Sequence, residues 1–210
     1  DSAYSDSPDG PLVEKGAAAQ VLREGNTGSA VAATQAVNRK VLTFQGSGFA
    51  NLTPGNSNLD ANLVRFIRGE DTEGEKGVKN ASTTRPSIHG DVIHSRPLPV
   101  NYGGTKGVTV FYGANDGTLR AVNAANGVER WAFVAPEFFS RLSRIRNNDH
   151  LVSYPGMGTD FTPVPKPKDY FYDGSTGVFQ NADNSKVWIF PSMRRGGRML
   201  YGIDVTDPDN

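Results

Sequence analysis

Two stretches of this chain resemble each other, and that internal repeat constrains the fold more than any other feature of the sequence. Met199–Pro208 aligns with Thr118–Gly127, with Leu200 on Leu119, at a constant offset of 81 residues. Lys186–Phe190 likewise repeats the strand pattern that precedes the first copy. Self-similarity at a fixed spacing is typical of folds built from repeated units. Since propeller blades usually repeat at about 40–50 residues, the spacing also predicts an insertion between the copies.

The first copy predicts an antiparallel meander of three short strands. The strands are expected at Val108–Tyr112, Thr118–Asn123 and Val128–Val134. Asn115, Asp116 and Gly117 tolerate the positive φ that a tight hairpin requires, and Asn126–Gly127 predicts a second turn. A meander of this kind fits one propeller blade or part of a β-sandwich, and the second copy favours an incomplete β-propeller with about two blades.

Composition agrees with a mainly β fold and argues against some functions. The 210 residues include 24 Gly and 13 Pro, as in a protein rich in turns. The formal net charge is zero, which favours neither nucleic acid nor an acidic partner. The absence of cysteine excludes disulfides and thiolate metal sites. The sequence contains no run of about 18 apolar residues, so no membrane-spanning segment is predicted. From the polar start and the unfinished second copy we expect a piece of a longer protein.

We expect three regions: a flexible lead with a short helix and a strand (1–58), a helix with a charged loop (59–86), and an incomplete propeller (87–210) with an insertion at 136–168. Helices are expected at Lys15–Glu24, Ala61–Arg68 (capped by Asp60) and Pro136–Arg146. Further strands are expected at Lys40–Gln45, at a sheet edge within Ser87–Val100, and from Tyr170 to Gly174. Loops are expected at Asn51–Asn58, Gly69–Thr84 (mobile and at the surface) and Tyr154–Lys168.

Acidic and small residues beside the turns are expected to be structural. In an Asx-turn the side-chain oxygen accepts backbone N–H bonds and fixes the hairpin. The residues expected at structural turns are Asn115, Asp116, Gly117, Asp173, Gly174 and Asp204. The alternative for Asp204, Asp207 and Asp209 is a weak calcium site. We assign no metal site and no cofactor, and any calcium site is expected in parts of the protein outside this sequence.

Positive charge is concentrated in two places, which hold the candidate partner-binding residues. They are Arg141, Arg144 and Arg146 in the insertion, and Arg194 and Arg195 before the second copy. The alternative for Arg194 and Arg195 is a solvated hairpin tip. A nucleic-acid site would add exposed aromatic side chains to such charge. Trp188, Phe190 and Tyr201 instead alternate in strands, where we expect them to pack, and Trp131 is expected in the core.

The three histidines are expected to be structural. His94 is flanked by Asp91 and Ser95, but neighbours along a strand point to opposite faces. A hydrogen-bonded structural role for His94 is therefore favoured over catalysis. His89 and His150 have no sequence partners for a metal cluster, and we expect them at the surface.

Four blocks of the chain resemble, in order, the C-terminal propeller of the PilY1 family. They are Gly90–Pro97, Tyr112–Leu119, Tyr170–Ser175 and Gly202–Pro208. The resemblance covers about residues 60–210, and Leu63–Gly69 is similar to the short helix before that propeller. It implies an exported, pilus-associated protein of the cell surface, which passes through the periplasm, carries a quinoprotein-like β-propeller, and acts in type IV pilus biogenesis and adhesion. The implied partners are pilin or minor pilins, and a host or abiotic surface.

Two features depart from the family pattern. Glu70 follows Arg68 and Gly69, so the Arg-Gly-Asp tripeptide that integrin binding needs is not formed. The family's calcium loop is not matched either, because Lys186 and Ser192 stand where such a loop needs Gly and Glu.

The working hypothesis is a non-enzymatic protein in which the propeller is a rigid platform. Long loops on a stiff scaffold commonly carry binding, so 69–85 and 136–168 are the expected contact regions. The alternative is a fragment of a quinoprotein-type dehydrogenase, which would need a calcium ion and a quinone cofactor. A structural component of a filament is a third possibility.

Overall fold

A computed structural model describes residues 17–24, 36, 38–158 and 160–210, and the statements below concern these residues. The helices are Ala17–Glu24 (α1), Pro54–Ser57 (α2), Ala61–Arg68 (α3) and Phe139–Asn147 (α4), with single 3-10 turns at Pro136–Phe138 and Arg194–Gly196. The strands are Val41–Phe44 (β1), Phe49–Asn51 (β2), Leu98–Asn101 (β3), Val108–Gly113 (β4), Leu119–Asn123 (β5), Glu129–Phe133 (β6), Thr176–Gln180 (β7), Val187–Pro191 (β8) and Ile203–Asp204 (β9). The prediction of a mainly β chain with few short helices is confirmed.

The strands form two sheets, and the first contains the predicted meander. Its order is β2-β1-β6-β5-β4-β3, and the second sheet has the order β7-β8-β9. The turn at Asn115–Gly117 is closed by Ala114 N–H, which donates to Thr118 O at 2.8 Å. β3 lies at the edge of the sheet, as predicted for a strand that contains Pro99, because proline cannot donate to a ladder. β1 joins the other side by parallel pairing with β6.

The two sheets share one pairing register, which confirms the internal repeat. Across β3, β4 and β5 the aligned residues are Val100, Thr109 and Asn123. Across β7, β8 and β9 they are Phe179, Trp188 and Asp204. Equivalent residues differ by 79 positions in the first two strands and by 81 in the third. We call β3–β5 the first unit and β7–β9 the second unit. The connection between β8 and β9 is therefore two residues longer than the connection between β4 and β5.

An apolar core lies between the sheets. It includes Phe111, Leu119 and Trp131 from the first sheet, and Val187, Ile189 and Ile203 from the second. Tyr102 Oη donates to Val205 O at 2.7 Å, and Trp131 Nε1 donates to Pro208 O at 3.0 Å. The two repeated stretches are thus extended and in contact, and Trp131 is in the core as predicted.

Helices α3 and α4 follow their local signals. Asp60 accepts a bond from Leu63 N–H at 2.9 Å and caps α3, as predicted. Gly69, with φ 105°, ends that helix in the left-handed conformation that glycine favours. In the insertion, Phe138 and Leu142 are buried, so α4 is anchored to the core. Helix α1 agrees with the first predicted helix, but Lys15 and Gly25 lie outside the described residues.

Several boundary predictions were wrong. Asn51–Asn58 is not only loop, because Thr53 and Asn56 form a reciprocal capping box that begins α2. Within Ser87–Val100 only Leu98 onward is strand, and the Tyr170–Gly174 segment consists of buried bends, with the strand beginning at Thr176.

The expected surface loop after α3 is buried at both of its ends. Glu70, Asp71 and Thr84 are buried. The carboxylate of Asp71 accepts three backbone N–H bonds, from Gly74, Glu75 and Lys76.

Candidate interaction surfaces

A buried charge network lies under the first turn of the meander. Arg120 is 1% exposed and bonds to Asp116 and to Glu129, each at 2.6 Å. Arg39 pairs with Glu129 at 2.8 Å. Asp116 Oδ1 also accepts from Thr118 N–H at 3.0 Å, so its predicted turn role is confirmed, and Oδ2 accepts from Gly90 N–H. The network joins the turn to the segment before β3.

The two carboxyl groups of this network should make stability sensitive to acid. Burial raises the pKa of Asp116 and of Glu129, but the adjacent arginine charges outweigh burial and leave each pKa below its ordinary value of 3.8 or 4.5. As the pH falls toward these ordinary pKa values, the unfolded chain therefore binds more protons than the folded chain does. We expect their full contribution above about pH 5 and a progressive loss below it, measured as the urea midpoint from pH 7 to pH 3.

The Glu129→Gln variant is the control for that pH dependence, because it removes one of the titrating groups. Its urea midpoint should fall less on acidification than that of the unchanged chain. Equal losses in the two proteins would contradict the assignment to this network.

The histidines occupy different environments. His89 Nε2 lies 2.8 Å from Tyr112 Oη, and burial lowers the pKa of His89 and raises that of Tyr112 to about 12. His89 is half-buried, between the surface position that was predicted and the core. His94 is hydrogen-bonded, as predicted: its Nδ1 lies 2.8 Å from Asp173 Oδ1.

Asp173 is fully buried. Its carboxylate contacts side chains, although the sequence predicted that it would accept bonds from backbone N–H groups. Its Oδ1 is the oxygen that lies beside His94. Its Oδ2 lies 3.5 Å from Arg194 Nη1 and has no hydrogen-bond partner. The predicted Asx-turn role of Asp173 is therefore wrong. Gly174 is buried beside it, where a Cβ would overlap Ser192 Oγ, so this glycine serves a close approach between segments.

The five candidate arginines have partners within the chain. Arg141 donates to Tyr170 O and Gly196 O, and its guanidinium lies 4.9 Å from the centroid of the Phe171 ring. Arg144 pairs with Asp169 at 3.0 Å, and Arg146 with Asp60 at 3.0 Å.

The remaining two lie on the 3-10 turn beside Asp173. Arg194 is half exposed near that carboxylate, while Arg195 donates to Tyr170 Oη and stacks on its ring. Intramolecular contacts thus engage each of the five arginines, and their role in binding a partner stays a prediction.

The acidic residues at the end of the second unit are also engaged. Asp204 Oδ1 accepts from Thr206 N–H at 3.0 Å, which confirms its predicted turn role. Asp207 pairs with Lys106, and Asp209 pairs with Arg130. In the described part of the chain, no group of three or more His, Cys, Asp or Glu side chains could hold a metal ion.

The two predicted contact regions meet at a cleft of about 560 Å³. Glu73, Glu75 and Arg85 line it from one region, and Arg144, Arg146 and His150 from the other. Lys168 and Asp91 also line the cleft and pair at 2.9 Å. Its charges are mixed and largely paired, so the cleft suits a polar contact better than a strongly charged ligand.

The insertion exposes more large apolar side chains than the loop after α3. They are Leu151, Val152, Tyr154, Phe161 and Val164 in the insertion, against Val78 alone in 69–85. Patches of exposed apolar groups are typical of interaction sites. From the sequence, the expected contact regions were this insertion and 69–85, and the candidate partner-binding residues were arginines.

The second sheet leaves aromatic side chains uncovered. Trp188 is 37% exposed, Phe190 36% and Phe179 52%. The prediction that Trp188 and Phe190 pack is therefore wrong for this part of the chain. β8 alternates buried and exposed positions although nearly every residue in it is apolar. The sequence signal for an interaction face was a strand with apolar residues on both faces, since such strands are normally covered on both sides.

Comparison with known proteins gives relatives of one kind. The type IV pilus biogenesis factor PilY1 of Pseudomonas aeruginosa strain UCBPP-PA14 is 28% identical over 177 residues, 71% of this chain and 14% of the relative. A PilY1 homolog from Xylella fastidiosa is 26% identical over 180 residues, 73% of this chain and 13% of the relative. The chain thus spans about one seventh of the length of these curated relatives. No family model and no solved structure matches it. Among the described residues, no helix has the length and apolar character to cross a membrane.

Proposed function

The chain is related to the PilY1 family of type IV pilus biogenesis factors, and from that premise we propose that it is part of an exported, pilus-associated surface protein. Its proposed role is non-enzymatic and lies in pilus biogenesis and attachment. The observation that carries the proposal is the similarity to these relatives over 71–73% of the chain. The proposed partners are pilin or minor pilins, together with the host or abiotic surface that the pilus meets.

The proposed architecture is an incomplete quinoprotein-like β-propeller that acts as a rigid platform. Two sheets with one register, packed through a shared core, support it. The Arg144–Asp169 ion pair and bonds from Arg144 to backbone carbonyls hold the insertion on this platform. A stiff scaffold that presents long loops is the usual arrangement for binding without catalysis.

The proposed contact surface is the exposed apolar part of the insertion, residues 151–164. Arg144 donates to Pro167 O and Lys166 O, and Arg141 donates to Tyr170 O, so both ends of this loop are held in place. Binding to a preorganised loop loses less conformational entropy than binding to a free one.

We expect the double variant Tyr154→Ser with Phe161→Ser to reduce piliation and attachment. Aromatic anchors at interfaces cost about 2 kcal/mol or more when truncated, which is more than tenfold in affinity. The test places the variant in the full-length protein in its own bacterium, then counts surface pili and cells attached to glass. Protein abundance is measured by immunoblot.

Val78→Ser is the matched control, since Val78 is exposed to nearly the same extent as Tyr154 but lies in the loop after α3. Normal piliation and attachment in the double variant would contradict the proposal. An equal loss in the control would do so as well, because it would show no preference for the insertion.

A further inference from the structure

Arg85 is a buried arginine whose guanidinium has few hydrogen-bond acceptors. The residue is 4% exposed, yet it lines the cleft between the loop after α3 and the insertion. Its Nη1 donates to Phe66 O, while its Nε has no hydrogen-bond partner in the described part of the chain. The ion pair with Glu75 is long, at 3.8 Å between Nε and Oε1. A buried charge is stable when it has a close partner and satisfied hydrogen bonds, so this guanidinium is short of acceptors.

Two other buried arginines show how this fold satisfies such a group. Arg39 donates two bonds to Glu129 and two to backbone carbonyl groups. Arg120 donates two bonds to carboxylates and one to a carbonyl group. The carboxylate contacts of these two arginines are 2.6–2.8 Å long, and the Arg85–Glu75 distance is well outside this range. Burial accordingly lowers the pKa of Arg85 to about 10, because Glu75 does not offset the loss of solvation.

Local contacts hold the guanidinium in place and keep Glu75 at a distance from it. Arg85 Cζ lies over the Phe66 ring, 3.7 Å from its centroid. The Glu75 carboxylate accepts from Ser87 N–H at 2.9 Å and from Ser87 Oγ at 2.5 Å. A shorter ion pair would therefore disturb both bonds to Ser87. The arginine is thus preorganised for a further acceptor that enters from the cleft.

The other basic side chains of the cleft already have close partners. Arg144, Arg146 and Lys168 each have a carboxylate oxygen within 3.0 Å. Acidic side chains such as Glu73 also line the cleft, so the cleft would repel a polyanion. A ligand with a single negative group therefore fits this charge distribution better than nucleic acid or an anionic membrane surface does.

We propose that the cleft binds one carboxylate group of a protein partner, and that Arg85 is the residue that receives it. A guanidinium offers parallel N–H groups that match the two oxygens of a carboxylate. A protein is the expected source, because Val152 lines the cleft and also belongs to the proposed contact surface, residues 151–164. A partner on that surface can therefore place an Asp or Glu side chain in the cleft. The inference rests on the proposed function and adds the chemical group that the partner must carry.

Binding of purified minor pilin domains to the purified full-length protein, both from the same bacterium, tests the inference by biolayer interferometry. We expect Arg85→Gln to weaken binding by at least about tenfold, because the carboxylate of the partner would lose its charged donor. The matched control is Arg198→Gln, which removes the same charge from an exposed residue outside the cleft. It should change the affinity by less than about twofold.

A second variant is expected to have the opposite effect, which a folding defect cannot imitate. Glu75→Gln removes the charge that competes for Arg85, while the new amide oxygen can still accept a bond from Ser87. We expect this variant to bind the pilin domains about threefold more tightly, since less negative charge surrounds the guanidinium.

A double-mutant cycle identifies the group on the partner. Single Glu→Gln and Asp→Asn replacements are made in the pilin domain. One of them should weaken binding to the unchanged protein by about tenfold and have no further effect on the Arg85→Gln variant.

Three outcomes would each overturn the inference while leaving the proposed function in place, since pilins would still bind. They are equal affinities for Arg85→Gln and Arg198→Gln, weaker or unchanged binding by Glu75→Gln, and a cycle in which no pilin carboxylate is coupled to Arg85. Pilin domains that do not bind the unchanged protein would overturn the inference together with the proposed partner.

Discussion

Replacing Arg120 with methionine is expected to lower the free energy of unfolding by about 3–5 kcal/mol. The guanidinium is almost completely buried and bonds to two carboxylates and to Ile88 O. Without it, Asp116 loses its charged partner and Glu129 keeps only Arg39. An uncompensated buried charge costs far more than the loss of an exposed pair. Urea denaturation followed by tryptophan fluorescence measures the change.

A combined variant distinguishes lost charge from lost packing at this position. Adding Asp116→Asn to Arg120→Met should restore part of the stability, because it removes a charge that would otherwise stay buried and unpaired. Lys106→Met serves as the control, since the Lys106–Asp207 pair is about half exposed, and we expect it to change stability by no more than about 0.5 kcal/mol. If Arg120→Met costs no more than this control, the network is not a major source of stability.

Gly196→Ala is expected to cost about 3 kcal/mol or more, because the added methyl group would overlap the backbone of Phe171. Gly196 lies at the end of the 3-10 turn, and its carbonyl accepts a bond from Arg141 at 2.6 Å. On the other side of the same segment, a Cβ at Gly113 would overlap the carbonyl of Tyr172. Residues 171–172 are thus held between two glycines and cannot move aside without disturbing both sheets. Thermal unfolding by circular dichroism measures the loss.

The matched control is Gly48→Ala, where no atom lies within 4 Å of the added Cβ. Its effect should stay within about 0.5 kcal/mol. Similar melting temperatures for the two alanine variants would show that the segment can relax away from Gly196.

Elements with local causes were predictable from the sequence. The β4–β6 meander follows from β-branched runs interrupted by Asn-Asp-Gly and Asn-Gly turns. Helix α3 begins directly after Asp60, because an aspartate cap precedes an apolar stripe. The repeat was also visible, since similar strands and turns recur at one spacing. The turn and cap signals are local, and the repeat is a comparison between two such local stretches.

Elements that depend on distant partners were missed. The parallel pairing of β1 with β6 brings together residues about 90 positions apart, and no local pattern encodes it. β7 was missed because its apolar residues Val178 and Phe179 lie between Gly177 and the polar run that begins at Gln180. The strand forms because β8 offers it a partner.

The sequence indicated two candidate contact regions but not how they lie in the fold. The insertion and the loop after α3 line one cleft, which no local pattern predicted. The arginines looked available because sequence shows a charge and not its partner, and Asp60, Asp169 and two backbone carbonyls engage them through the fold. Strand periodicity gave the alternation of Trp188 and Phe190, but not which face is covered.

The unequal connections of the two units determine how further copies should be sought in a longer polypeptide. The first hairpin has one length in both units: Tyr102 N–H donates to Gly107 O, and Asn181 N–H to Lys186 O. The next connection is two residues longer in the second unit, where it makes room for the turn that contains Arg194. An alignment profile for this motif should therefore forbid gaps in its first half and permit one variable-length gap between its second and third strands.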